Sequence, residues 1–125
     1  MSDFRNLTVW QKAHAVTLDV YKAAARFPQS ELYGLTSQMR RCCVSIGSNI
    51  AEGCGRVGEA EKARFLQIAS GSESELEYQL ILAKDLGYLT SDVADDLAQR
   101  TREVGRMLAS LVEKVRAARA KAGSW

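Results

Sequence analysis

The chain has 125 residues, 46% of them hydrophobic, and its 17 basic and 15 acidic side chains leave a formal net charge of +2. That length suits one domain, which buries roughly two-thirds of its unfolded surface and needs no disulfide or metal to fold. The charge balance neither demands nor excludes nucleic acid, and it lacks the strong basic excess of dedicated nucleic-acid binders.

Four helices are predicted, over about 7–26, 31–52, 59–86 and 91–119. In the first, Val9, Ala13, Val16, Val20 and Ala24 recur at spacings of four and three, which is helix periodicity. Phe27 and Pro28 end it, because the residue before a proline is pushed out of the helical region. The second is expected to start behind Ser30 as N-cap, with Glu31 favouring the positive helix end. Its seam is Leu32, Leu35, Met39, Cys42, Ile46 and Ile50, and Gly53 and Gly55 are read as its stop. The third has a seam of Phe65, Ala69, Ser72, Leu76, Ala83 and Leu86 and ends at Gly87. The fourth begins at Thr90 or Ser91, and Val93, Leu97, Val104, Leu108, Leu111 and Val115 form its seam. Short connections make neighbours antiparallel, so the expected fold is all-α: a single-domain, up-down-up-down four-helix bundle.

The third helix carries more apolar surface than one core accepts. Leu76, Leu80 and Ala83 fall on one line, Tyr78 and Ile81 on a second, Leu82 and Leu86 on a third. A contact with another copy explains the surplus. On the second helix, Arg41, Ser45 and Ser48 form a small polar line beside Gly47. A glycine there costs its helix about 1 kcal/mol relative to alanine, which close approach of another helix justifies. The expected oligomer interface is therefore Arg41, Ser45, Gly47, Ser48, Tyr78, Ile81 and Leu82. The alternative is a monomer with a solvated face.

No constellation spells a reaction. Gly53-Cys54-Gly55-Arg56-Val57-Gly58 matches G-x-G-x-x-G, but it follows a helix, so it reads as an interhelical turn. His14 is the only histidine and is expected at the surface. Cys42, Cys43 and Cys54 lack the paired spacing of a zinc site and are read as reduced thiols of a cytoplasmic protein, either packing or reactive. No metal, cofactor or catalytic residue is expected. MSDFRNLTVW has no apolar core of a secretory signal, and no run approaches the ~18 residues of a membrane span.

Glu73, Glu75 and Glu77 form a carboxylate cluster for which a structural role is expected. Folding the second helix onto the third is expected to pair positions summing to about 111. This predicts a network, within or between copies, of Arg40 or Arg41 with Glu73 or Glu75, and puts Asn49 near Lys62. Lys114, Arg116, Arg119 and Lys121 are the best basic cluster. They either complement the negative helix end or contact phosphate.

Several stretches carry a family resemblance. They are Leu7-Thr8-Val9-Trp10-Gln11-Lys12-Ala13, the block from Tyr33-Gly34-Leu35 through Arg40-Arg41 to Ser48-Asn49-Ile50-Ala51-Glu52-Gly53, then Arg64-Phe65-Leu66-Gln67-Ile68-Ala69, Gly71-Ser72, Glu75-Leu76-Glu77 and Leu86-Gly87-Tyr88-Leu89. Over roughly residues 4–115 the chain resembles the four-helix-bundle proteins encoded in intervening sequences of bacterial 23S ribosomal RNA genes. Gly47 departs from the pattern, which usually carries proline there. The resemblance implies a cytosolic bacterial protein that assembles as a five-fold ring, with no established enzymatic activity. It extends distantly to the accessory protein of diversity-generating retroelements, a basic ring that partners a reverse transcriptase and nucleic acid.

The resulting expectation is a non-enzymatic homo-oligomeric adaptor, not of membranes but of RNA or a ribonucleoprotein, with Arg40, Arg41, Arg56, Lys114, Arg116, Arg119 and Lys121 as positive contacts. The competing expectation is a protein-interaction scaffold with no nucleic-acid role.

Overall fold

The computed structural model describes residues 3–123. Four helices, α1 (Thr8–Ala24), α2 (Leu35–Cys54), α3 (Glu59–Asp85) and α4 (Ser91–Gly123), are joined by short turns, with single 3-10 turns at Phe4–Asn6 and Gln29–Glu31. No strand occurs among the described residues. Each helix packs on its sequence neighbours, and α1 also packs on α4, while the diagonal pairs stay apart. Contacts across each seam run in opposite directions. Arg40 meets Tyr21 and Gly47 faces Trp10 between α1 and α2. Ser45 bonds Ser72 at 2.8 Å between α2 and α3, Lys84 meets Asp95 at 3.0 Å between α3 and α4, and Lys12 pairs with Glu103 at 2.6 Å between α1 and α4. The architecture is thus an antiparallel four-helix bundle.

The α1 seam is buried as its spacing predicts, and Met39, Cys42, Ile46 and Ile50 of α2 face it across the core. Leu66, Leu76 and Leu80 of α3 and Val104 and Leu108 of α4 complete the interior. Burying such side chains contributes about 1.5–3 kcal/mol each relative to exposure. No helix among the described residues is long and apolar enough to cross a membrane.

Several boundaries and faces differ from expectation. α2 starts at Leu35, four residues late, because residues 29–31 form a 3-10 turn after Pro28. Ser30 is not its cap. The Glu31 carboxylate reaches forward instead, accepting the Leu35 N–H at 3.1 Å and the Tyr88 hydroxyl at 2.9 Å. Gly53 does not stop α2 but lies buried inside it. A β-carbon there would stand 3.3 Å from Phe65 Cβ, so its role is close approach to α3. Gly55 is the C-cap, donating to the carbonyls of Ala51 and Glu52.

α3 ends as expected. Gly87 adopts φ +79°, Tyr88 N–H returns to Ala83 O at 2.9 Å, and Gly87 N–H to Lys84 O at 3.0 Å. This is the left-handed glycine stop of a Schellman motif. The α3 core face is rotated from the predicted seam: Ala63, Leu66, Glu73, Gln79 and Leu80 are buried, whereas Leu86 is exposed and Phe65 and Ser72 lie at the margin. α4 runs to Gly123, past the predicted end, and buries Ala94, Thr101 and Val112, leaving Val93 exposed.

Candidate nucleic-acid interface

The register of α2 on α3 is set by the Ser45–Ser72 bond, the Cys42 thiol donating to Ser72 O at 2.9 Å, and Gly53 against Phe65 and Lys62. Paired numbers sum to roughly 114–118, about one helical turn beyond the expected 111. Small residues at the contact, Ser45, Ser72 and Gly53, set this height, and number pairing alone does not detect it.

Side-chain direction, not this shift, removes the predicted arginine–glutamate network within the chain, since sums of 114–118 still set Arg41 level with residues 73–77. Arg40 turns toward α1, where its guanidinium lies 5.0 Å from the Tyr21 ring centre and donates to Tyr21 O at 3.4 Å. It thereby serves the carbonyl end of α1. Arg41 is exposed on the outer face of α2. Glu73 turns into the α3–α4 contact, and Glu75 accepts from Gln79 at 2.9 Å. Asn49 bonds back to Ser45 O at 2.8 Å, not to Lys62, which pairs with Glu59 at 3.3 Å.

The basic residues therefore separate. Arg40 and Arg41 sit in the half of the bundle where α2 begins. Arg56 lies at the opposite end, about 20 Å along α2 from Arg41 at 1.5 Å per residue. That opposite end also receives the last turns of α4. Among the described side chains of α4, Val115 is the last buried one, and residues 116–121 are exposed throughout. With the start of α4 paired to the end of α3 (Lys84 to Asp95), antiparallel packing brings Arg116 and Arg119 level with the first turns of α3. Lys114, Arg116, Arg119, Lys121 and Arg56 thus share one end of the molecule.

Lys62 and Arg64 join them, which the sequence reading missed. Arg56 and Arg64 both pack on Phe65, with guanidinium carbons 4.8 and 5.1 Å from its ring centre. Arg56 also pairs with Glu52 at 2.8 Å, and Arg64 with Glu61 at 3.7 Å. The sequence signal was weak: Arg64 directly precedes Phe65, but Arg56 lies nine residues upstream, across the turn between α2 and α3, and only the fold brings both onto the ring in a cation–π arrangement. The other end of α4 carries Asp92, Asp95 and Asp96, all exposed. α4 is charge-segregated, in the sense that complements its own dipole.

The predicted subunit-contact residues also divide. Tyr78 and Ile81 are 61% and 56% exposed on the outer side of α3, and Arg41 and Ser48 are exposed on α2. Leu82 packs against the core. Ser45 is occupied by Ser72 and Asn49. Gly47 faces the chain's own Trp10, whose indole nitrogen would lie 3.6 Å from a β-carbon there, so no second copy is needed to explain its neighbour. Val44 and Ile68 add exposed apolar surface that was not assigned to the interface.

His14 is exposed and stacks on Trp10, with ring centres 4.9 Å apart. Cys42, Cys43 and Cys54 are free and buried. Burial, with a smaller push from the Glu75 and Glu73 charges, raises the Cys42 thiol to about 12. Burial likewise raises Cys43 to about 12. Thiols held so far from ionisation are packing residues. The G-x-G-x-x-G stretch straddles the end of α2 and the turn before α3.

The sequence model described as 23S rRNA-intervening sequence protein matches residues 5–110. The chain belongs to that family. Among solved structures, the chain resembles a protein with unknown function from the S23 ribosomal protein family of Bacteroides thetaiotaomicron. The two are 24% identical with a TM-score of 0.76, over 84% of this chain and 98% of the other. At that identity the likeness concerns the fold. No curated protein matches the chain.

Proposed function

We propose that the protein is a non-enzymatic oligomeric adaptor that holds RNA or a ribonucleoprotein through its basic end. The carrying observation is the gathering of Arg56, Lys62 and Arg64 with Lys114, Arg116, Arg119 and Lys121 at one end of the bundle. Arg40 leaves the set of contacts, since it is committed to Tyr21. One copy offers a modest positive field. Several copies around an axis multiply it, and phosphate binding follows the number of contacts. The exposed Tyr78 and Ile81, with Arg41 and Ser48, form the surface through which copies join in this reading, as a five-membered ring.

The test is binding of structured RNA across a salt series. Affinity is expected to fall steeply with salt, and the Arg116→Ala, Arg119→Ala double variant to flatten the logarithmic slope by about 1 per lost phosphate contact. Binding that ignores salt, or no binding at low salt, overturns the reading. The exposed apolar side chains also favour a second reading, a protein-interaction scaffold. Recovery of one protein partner after nuclease treatment, with no RNA retained, selects it.

A further inference from the structure

Glu73 is a buried carboxyl group that the proposed adaptor role does not use. It is 4% exposed, in the middle of α3 and facing α4. Its seat is made by Gly105. A β-carbon at that position would stand 2.6 Å from Glu73 Cδ, so the carboxyl group occupies the space where any other residue of α4 would carry its side chain. A glycine inside a helix costs about 1 kcal/mol relative to alanine, and here the notch is its structural return. One oxygen, Oε2, is buried with no hydrogen-bond partner.

The titratable and charged groups around it come from three helices. Along α3, Glu77 lies one turn on and is within hydrogen-bonding reach once either carboxyl group carries a proton. From α4, Arg102 favours the ionised form. From α2, Cys42 feels the charges of Glu75 and Glu73 but is itself a neutral thiol. α1 does not pack on α3. Two carboxyl groups, one buried and one half-buried, therefore lie close together at the α3–α4 contact with one exposed arginine nearby. Burial, then the hydrogen bond from and charge of Glu77, outweigh Arg102 and raise Glu73 to about 8.

We propose that Glu73, seated in the Gly105 notch beside Glu77, is a proton-controlled latch between α3 and α4. Protonated, it lies against the α4 backbone as a neutral group. Ionised, it leaves a buried charge that Arg102 only partly offsets, and α4 loosens to admit water. The ligand is the proton, and the element released is the helix that carries Lys114, Arg116 and Arg119. The latch does not depend on what those residues bind.

The direction follows from linkage. A carboxyl group raised in the folded state binds more protons there than in the unfolded chain. Its contribution to stability is complete below the ordinary glutamate range, declines as pH rises, and is lost once pH passes about 8. The experiment follows the full chain by thermal unfolding from pH 6 to 9, with amide exchange of α4 and carboxyl carbon-13 titration of Glu73. The wild type is expected to lose roughly 5–10 °C over that range, and Glu73→Gln to lose less than about a third as much. Protection near Thr101–Leu108 should drop at high pH in the wild type alone. Gly105→Ala should lower the thermal midpoint, and Glu73→Ala in the same chain should restore it, because the two side chains compete for one space. A Glu73 carboxyl group titrating in the ordinary range, a Gln variant with unchanged pH dependence, or no rescue of Gly105→Ala would each overturn the proposal.

Discussion

Glu31 does at the start of α2 what a serine or aspartate cap does at many helix starts, but from four residues upstream. Its carboxylate takes the Leu35 N–H, and Gly34 makes room for it: a β-carbon at Gly34 would stand 2.7 Å from Glu31 Oε1. Gly34→Ala is therefore expected to displace the cap and cost about 1 kcal/mol, read as a lower urea midpoint with an unchanged slope. Unchanged stability would mean that the carboxylate finds another route to α2. The acidic residue near the helix start was legible in the sequence. Its partner was not, because the 3-10 turn after Pro28 decides where the carboxylate points. Arg40 shows the same limit: its charge was plain, and only the nearness of Tyr21 committed it to the end of α1.

Within α2, two glycines have opposite reasons. Gly47 faces the Trp10 indole at ordinary contact distance, whereas Gly53 meets Phe65 Cβ at 3.3 Å and Lys62 O at 3.4 Å. Gly47→Ala is expected to stabilise the chain by up to about 1 kcal/mol, the helix propensity difference. Gly53→Ala should forfeit that gain by pushing α3 away. Denaturant curves of the two variants check the contrast, and equal effects would show that Gly53 is not a close-approach site. The seams of α1 and α2 were legible because their apolar residues recur every three or four positions. α3 was not, since it is apolar on several sides and buries Glu73 and Gln79. Which polar residue turns inward depends on what the facing helix leaves open, and Gly105 lies 32 residues further along the chain.

For the whole molecule, the exposed Tyr78 and Ile81 bear on assembly. If copies join through this face, replacing both with glutamate should convert a particle of about 69 kDa, five 13.8 kDa chains, to the single chain while leaving helix content intact. Native mass of the two proteins after nuclease treatment measures this. A wild-type chain that runs as a monomer would refute the assembly reading, and an intact ring in the variant would move the contact elsewhere. By itself, the sequence determined the helical class, the number of helices and their alternating direction, because periodicity and short connections are local properties. It also marked the basic run on α4. Only the tertiary structure decided the one-turn register of α2 on α3, the capture of Arg40 by α1, the joining of Arg56, Lys62 and Arg64 to the α4 cluster, and the seat of Glu73. Each depends on the side chains of two helices meeting at a particular height, and the periodicity of one helix carries no information about the height of its neighbour.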